Sequence, residues 1–186
     1  AQQRVQAHLF DGYWEDIGTV GAFHQANLDL TRDNPSFDFT HGEQPIFTRP
    51  RYLPSSRISG ATIKNSLICD GCVIGRGTVI ENSVIGVRSV IGENAVIRDS
   101  YLMGGDFYEQ TRDVEENQRQ GRPNLGVGAG AVIERAIVDK NVRVGRDVRI
   151  NNETGIVDSE ETDTYVIRDG VVVVPKTTIL REGLKI

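Results

Sequence analysis

Between Ile58 and Leu102 aliphatic residues recur with a fixed short period, and that period limits what the chain can fold into. Ile63-Lys-Asn-Ser-Leu, Ile80-Glu-Asn-Ser-Val and Ile97-Arg-Asp-Ser-Tyr follow one another at 17-residue intervals. Between them stand Ile68-Cys-Asp-Gly-Cys-Val, Ile74-Gly-Arg-Gly-Thr-Val, Ile85-Gly-Val-Arg-Ser-Val and Ile91-Gly-Glu-Asn-Ala-Val. The aliphatic leaders therefore advance in steps of five, six and six, twice over. Such steps fit neither a helical face nor a long alternating strand. They fit a very short strand, a turn and a corner, with one side chain pointing inward per face. Three faces make one coil, and Ile68, Ile85 and Leu102 are expected to stack over one another. Gly71, Gly75, Gly77, Gly86 and Gly92 are expected to give the corners backbone freedom. Asn65, Asn82 and Asp99 recur at one corner, where short polar side chains tolerate left-handed dihedrals. One coil cannot bury its own core, so coils must stack: the pattern is that of a parallel β-helix.

The repeat stops after Leu102 and resumes at Val127, Ile133, Val138, Val144 and Ile150. The charged, leaderless stretch of about 104–124 reads as a loop inserted into one coil, with a short helix around Val114 to Gln120. Near the end, Asp169-Gly170 between aliphatic runs is a hairpin signal. Before the repeat, alternation at Val5, Ala7 and Leu9 predicts a strand over Arg4–Phe10. Thr19 suits an N-cap for a helix over Val20–Leu30, ended by Asp33-Asn-Pro. One strand and one helix hold no core, so this part must pack on something else. Residues 31–57, with four prolines, read as a linker in which Arg49 and Arg51 project to one side of an extended segment.

Composition narrows function mostly by exclusion. A net charge of −5 argues against general nucleic-acid binding, so an anion site would have to be a local cluster of cations. No apolar run approaches the roughly 20 residues that cross a bilayer, no signal-peptide pattern is present, and a cytoplasmic protein is expected. Cys69 and Cys72 occupy places filled elsewhere by Gly75, Thr78, Gly86 and Ser89, which favours small corner residues over a metal or redox pair. The three histidines, His8, His24 and His41, all precede Ile58. The repeat thus carries no imidazole base and no histidine metal site, which weighs against an acyltransferase or a zinc enzyme. No glycine loop of the phosphate-cradling kind lies between a strand and a helix start. Two features remain. Glu15 and Asp16 precede the helix, where a carboxylate could hold magnesium or simply face the helix dipole. Arg49, Arg51, Lys140 and Lys176 are separated in sequence, yet stacked coils could gather them around a phosphate.

Several blocks together closely resemble one family: Gly12-Tyr-Trp-Glu-Asp-Ile-Gly-Thr, Ala26-Asn-Leu-Asp-Leu, Pro45-Ile-Phe-Thr-Arg-Pro-Arg-Tyr-Leu-Pro, Asn82-Ser-Val-Ile-Gly-Val-Arg-Ser, Asp99-Ser-Tyr-Leu-Met-Gly and Arg135-Ala-Ile-Val-Asp-Lys-Asn. They resemble the ADP-glucose pyrophosphorylases, the glucose-1-phosphate adenylyltransferases of bacterial glycogen and plant starch synthesis, and most of all the cyanobacterial and plant type. The resemblance covers essentially the whole chain and identifies it as the C-terminal part. It implies a left-handed, hexapeptide-repeat parallel β-helix preceded by the last strand and helix of an α/β nucleotidyltransferase domain. Residues 1–45 would be that catalytic edge plus linker, and 46–186 a regulatory and oligomerisation domain. It further implies that ATP and glucose 1-phosphate give ADP-glucose and pyrophosphate in a homo- or hetero-tetramer, with plastid location in a plant. Asp16 matches the family's magnesium-binding catalytic aspartate. Lys140 and Lys176 match lysines that bind a phosphorylated effector such as 3-phosphoglycerate, or phosphate, and Arg51 matches an arginine of the same region. Arg49 stands where relatives usually carry glutamine, and Pro175 where they carry an aliphatic residue. The rival class is a stand-alone, non-catalytic β-helix that oligomerises or binds a partner.

Overall fold

The computed structural model describes residues 4–39 and 46–186. From Arg57 onward the chain winds through strands of two to four residues that stack in register into three sheets, parallel throughout except for one antiparallel strand at the edge of the third. On the first face Ile58, Ile74, Ile91, Val127, Val144 and Leu180 are successive partners. On the second the column is Ile63, Ile80, Ile97, Ile133 and Ile150. The third holds Ile68, Ile85, Leu102, Val138 and Val174. All but the first members of the three columns are buried, and they form one continuous core.

Small residues two places before the leaders also point inward: Cys72, Thr78, Ser83, Ser89, Ala95, Ser100, Ala131 and Ala136 are all buried. Their polar atoms are satisfied both within a coil, as where Ser89 Oγ donates to Gly86 O at 2.8 Å, and between coils. The Ser66, Ser83 and Ser100 hydroxyls accept, at 3.2 Å each, from the amides of Ser83, Ser100 and Ala136 in the next coil. Cys72 belongs to this set, its thiol donating to the Gly86 carbonyl at 3.2 Å. Burial pushes the Cys69 and Cys72 thiols up, away from thiolate chemistry, in accord with small corner residues.

The corners need two kinds of glycine, and the expectation of backbone freedom at all five is corrected here. Gly71 and Gly77 are left-handed, at φ 74° and 72°. Gly75, Gly86 and Gly92 are not; they are glycines because the next coil leaves no room. A Cβ on Gly92 would sit 2.6 Å from the Ala129 nitrogen, so backbone blocks it rather than a side chain that could swing away. At the polar corner Asn65, Asn82 and Asp99 take φ of 45°, 47° and 45°, as expected of residues that tolerate that region.

Among the described residues two helices accompany the coils, one before the repeat and one inside the inserted loop. Helix α1 runs Val20–Asp29, with Thr19 Oγ1 accepting from the Ala22 amide at 3.1 Å as its N-cap. Helix α2 runs Thr111–Gln120 inside the insertion and ends on left-handed Gly121. Val166–Arg168 and Val171–Val174 form the antiparallel hairpin around Asp169-Gly170. The strand expected over Arg4–Phe10 is not formed. Val5 is 93% and Leu9 90% exposed, and among the described residues no strand lies beside them to complete a ladder. Alternation makes a strand only where a neighbouring edge accepts its hydrogen bonds.

What α1 packs on is the β-helix itself. The buried His24 ring places Nε2 2.7 Å from the Asp99 carbonyl, and the Phe23 and Tyr101 rings lie 5.8 Å apart. The Gly21 amide donates to Asp169 Oδ2 at 2.8 Å, which sets the hairpin turn's carboxylate on the first turn of α1. Part of the pre-repeat chain is thus tied to the third face.

Ile97 is fully buried in a central coil, whereas Ile58, in the first, is 46% exposed. Ile97→Ala should cost about 2–5 kcal/mol in urea unfolding, and Ile58→Ala less than about 1 kcal/mol. Equal losses would refute a core concentrated in the inner columns.

Candidate functional site: a cation cluster at one corner of the β-helix

Two residues past each leader of the third face, the chain turns a corner. The Asn141 amide donates to Gly104 O (3.1 Å) and the Thr177 amide to Lys140 O (3.0 Å), so Gly104, Lys140 and Lys176 follow one another up successive coils. Val138 pairs with Val174, and Lys140 and Lys176 stand at the same place after them. The ladder therefore stacks two lysines, an arrangement that needs a counter-charge.

Asp106 supplies it. Lys140 Nζ lies 3.0 Å from Asp106 Oδ1 and Lys176 Nζ 3.0 Å from Asp106 Oδ2, so each carboxylate oxygen meets one ammonium. Asn141 clamps the same residue twice, its Nδ2 donating to Oδ2 at 3.0 Å and its Oδ1 accepting from the Asp106 amide at 2.8 Å. The Lys176, Lys140 and Asn141 hydrogen bonds hold the Asp106 carboxyl well below the usual carboxylate range. The three charged side chains are nonetheless 36–51% exposed, and pairs so open to water are worth on the order of 1 kcal/mol or less each.

Beside this pair opens a cleft of about 350 Å³ lined by Arg49, Pro50, Arg51, Arg88, Asp106 and Lys140. The structure thus brings together the four cations singled out from sequence: three line the cleft, and Lys176 joins them through Asp106. Arg49 and Arg51 both reach it from the strandless segment before the first coil. That segment is tied down where Ser56 Oγ accepts from the Cys72 amide at 3.0 Å. Arg88 enters from the corner below, its guanidinium 6.0 Å from the centroid of the Tyr108 ring, whose hydroxyl donates to Gly71 O at 2.8 Å.

The insertion that delivers Asp106 is held by a buried polar hub. Glu109 pairs with Arg143 at 2.6 Å, with side chains 7% and 14% exposed. Glu109 Oε2 also accepts from the Leu125 amide at 2.8 Å, and Oε1 from Asn117 Nδ2 at 2.7 Å. Arg122 Nε donates to Asn117 Oδ1 at 2.6 Å, and Arg143 Nη1 to Pro123 O at 2.9 Å. Burial alone would raise the Glu109 carboxyl; the bonds from Leu125, Asn117 and Arg143 outweigh it and leave it below its ordinary value.

Asp16 stands elsewhere. It is exposed in the loop before α1, its Oδ1 accepting from the Gly18 amide at 3.0 Å, and it is not among the residues lining the cleft. Among the described residues no group of three or more acidic, histidine or cysteine side chains could hold a metal. A single carboxylate fits magnesium only in a site whose remaining ligands are substrate phosphates, water or other residues.

Sequence reasoning missed Asp106, Arg88 and Asn141. Register alone would have found two of them: Arg88 and Asn141 both lie three places after a third-face leader, in one left-handed column with Gly71 and Thr177. Asp106 carries no such mark, because it is in the insertion.

The family of the GLGC left-handed parallel beta-helix domain matches residues 51–184, which hold every coil described above. The chain belongs to that family. The chain is also 45% identical over 182 residues to the small subunit of glucose-1-phosphate adenylyltransferase, chloroplastic/amyloplastic, of Triticum aestivum. The aligned part is 97% of this chain but 38% of the wheat protein. The handedness and repeat architecture expected from the resemblance are those of the family. No helix among the described residues is long and apolar enough to cross a membrane.

Because the Glu109 carboxyl is depressed, its contribution to stability is fully present above the ordinary carboxylate range and is lost as pH falls through its lower folded value. At pH 7, Glu109→Gln should cost roughly 3–5 kcal/mol by leaving Arg143 buried without its partner. The difference in melting between the variant and the parent should shrink from pH 7 toward pH 3; a constant gap would rule out the ionised hub.

Proposed function

We propose that this chain is the C-terminal part of a glucose-1-phosphate adenylyltransferase, in which the β-helix binds an anionic effector and contributes to subunit assembly. The observation that carries the effector reading is the convergence of Arg49, Arg51, Arg88 and Lys140 on one cleft, with Lys176 joined to it by Asp106. Clustered guanidinium and ammonium groups suit a phosphate, which offers several strong acceptors at once. A phosphorylated carboxylic acid such as 3-phosphoglycerate, or phosphate itself, matches that chemistry. The likeness to the wheat small subunit supports the parent activity, joining ATP and glucose 1-phosphate to give ADP-glucose and pyrophosphate.

On this reading residues 1–45 are the trailing edge of the catalytic domain and 46–186 the regulatory β-helix, with the loop of about 104–124 inserted into it. Asp16 would supply one carboxylate to a magnesium ion whose other ligands come from substrate phosphates, and the bound ion would neutralise phosphate charge. The chain's own part there is to hold Asp16 at the entry to α1, anchored through Gly18. The parent assembles as a homo- or hetero-tetramer, in the cytoplasm of a bacterium or the plastid of a plant. An effector bound at the corner changes catalysis by favouring one of two arrangements of that assembly.

Calorimetric titration of this chain with 3-phosphoglycerate, beside a Lys140→Ala, Lys176→Ala double variant, tests the effector site. Binding by the parent and its loss in the double variant is the expected result; equal binding by both would move the site elsewhere. The purified 186-residue chain is also expected to form no ADP-glucose from ATP and glucose 1-phosphate. Measurable synthesis would show that the catalytic machinery is contained in it.

A further inference from the structure

The lysine pair already holds an anion, and that anion belongs to the chain. We propose that Asp106 is a built-in occupant of the effector site, and that a phosphate-bearing ligand binds by displacing its carboxylate from Lys140 and Lys176. The proposal rests on the effector reading of this cleft and adds to it a competitor that sets the affinity.

Three observations carry it. The first is the match of geometry: the two oxygens of one carboxylate meet the two ammonium groups at 3.0 Å each, as two oxygens of a phosphate would. The second is the charge balance. Among the described residues Asp106 is the one carboxylate lining the cleft, against Arg49, Arg51, Arg88 and Lys140, so the site stays strongly cationic with its occupant in place. A dianionic phosphate is attracted more strongly there than a monoanionic carboxylate. The third is freedom of movement. Asp106 lies between two fixed points, the Gly105 amide on Val87 O at 2.9 Å and the Tyr108 hydroxyl on Gly71 O at 2.8 Å. Its half-exposed side chain can swing away while Glu109 and Arg143 keep the insertion docked. The Asn141 clamp holds it in place until a ligand competes.

Self-occupancy lowers apparent affinity by the fraction of time the site is open, so an occupant present nine-tenths of the time weakens binding about tenfold. Removing the charge removes that competition. Asp106→Asn keeps the side-chain shape and should bind inorganic phosphate and 3-phosphoglycerate about tenfold more tightly than the parent at equal ionic strength. Asp106→Glu retains a carboxylate and should stay within about twofold of the parent. The gain should disappear when Lys140→Ala and Lys176→Ala are added to Asp106→Asn.

If Asp106→Asn binds phosphate equally or more weakly while the lysine double variant abolishes binding, Asp106 serves to hold the lysines in position; the proposal is then wrong and the effector site stands. If neither parent nor Asp106→Asn binds either anion, the effector reading fails, and the displacement with it. Circular dichroism melts of each variant establish that a change in binding is not a loss of fold.

Discussion

Everything in this molecule follows from the backbone ladder that joins one coil to the next. Each short strand exchanges amide-to-carbonyl hydrogen bonds with the coils on both sides: the Gly75 amide meets Ile91 O and the Val79 amide Ala95 O at 2.9 Å in the next coil, while the Val172 amide reaches back to Arg135 O at 3.2 Å. Because the ladder is parallel and in register, residues at equivalent places in the repeat must stack. Isoleucine on isoleucine makes a dry column, serine on serine relays a hydrogen bond, and glycine under backbone makes room. A substitution is therefore judged against its neighbours in the coils above and below as much as against its sequence neighbours.

Charge obeys the same rule with two outcomes. On the second face Lys64, Glu81, Arg98 and Glu134 stack with alternating sign. Arg98 lies 2.8 Å from Glu81 and 3.0 Å from Glu134, so that column is balanced within itself. At the corner after the third face, Lys140 and Lys176 stack with the same sign, and the balance comes from Asp106 in the insertion. A column that balances itself has nothing left to bind; one that depends on a movable carboxylate can exchange it for another anion. The difference separates a structural charge ladder from a candidate regulatory site.

The insertion serves that site from a distance. Its own helix α2 buries only Asn117, and polar contacts, Glu109 with Arg143 and the Tyr108 hydroxyl with Gly71 O among them, tie it to the coils. A polar hub of this kind fixes direction well, because each group has one geometry that satisfies its partners. The same economy ties α1 to the third face, through His24, Gly21 and the Phe23–Tyr101 contact.

The sequence by itself determined the coils: the leaders, the left-handed Asn65, Asn82 and Asp99, the Asp169-Gly170 hairpin and both helices were legible because each depends on local spacing. It also put four of the site's cations forward on charge, and family likeness added an effector role for Arg51, Lys140 and Lys176. It misjudged Arg4–Phe10, since alternation says nothing about whether a partner edge exists, and it read all corner glycines alike, since close approach between coils leaves no mark distinct from backbone freedom. Only the tertiary structure decided where the insertion docks and that Asp106 reaches two lysines in successive coils. The reason is physical. A repeat writes its stacking into its period, whereas an insertion has no period, and its position is set by polar contacts between residues far apart in the chain, such as Glu109 with Arg143 and Asp106 with Lys176.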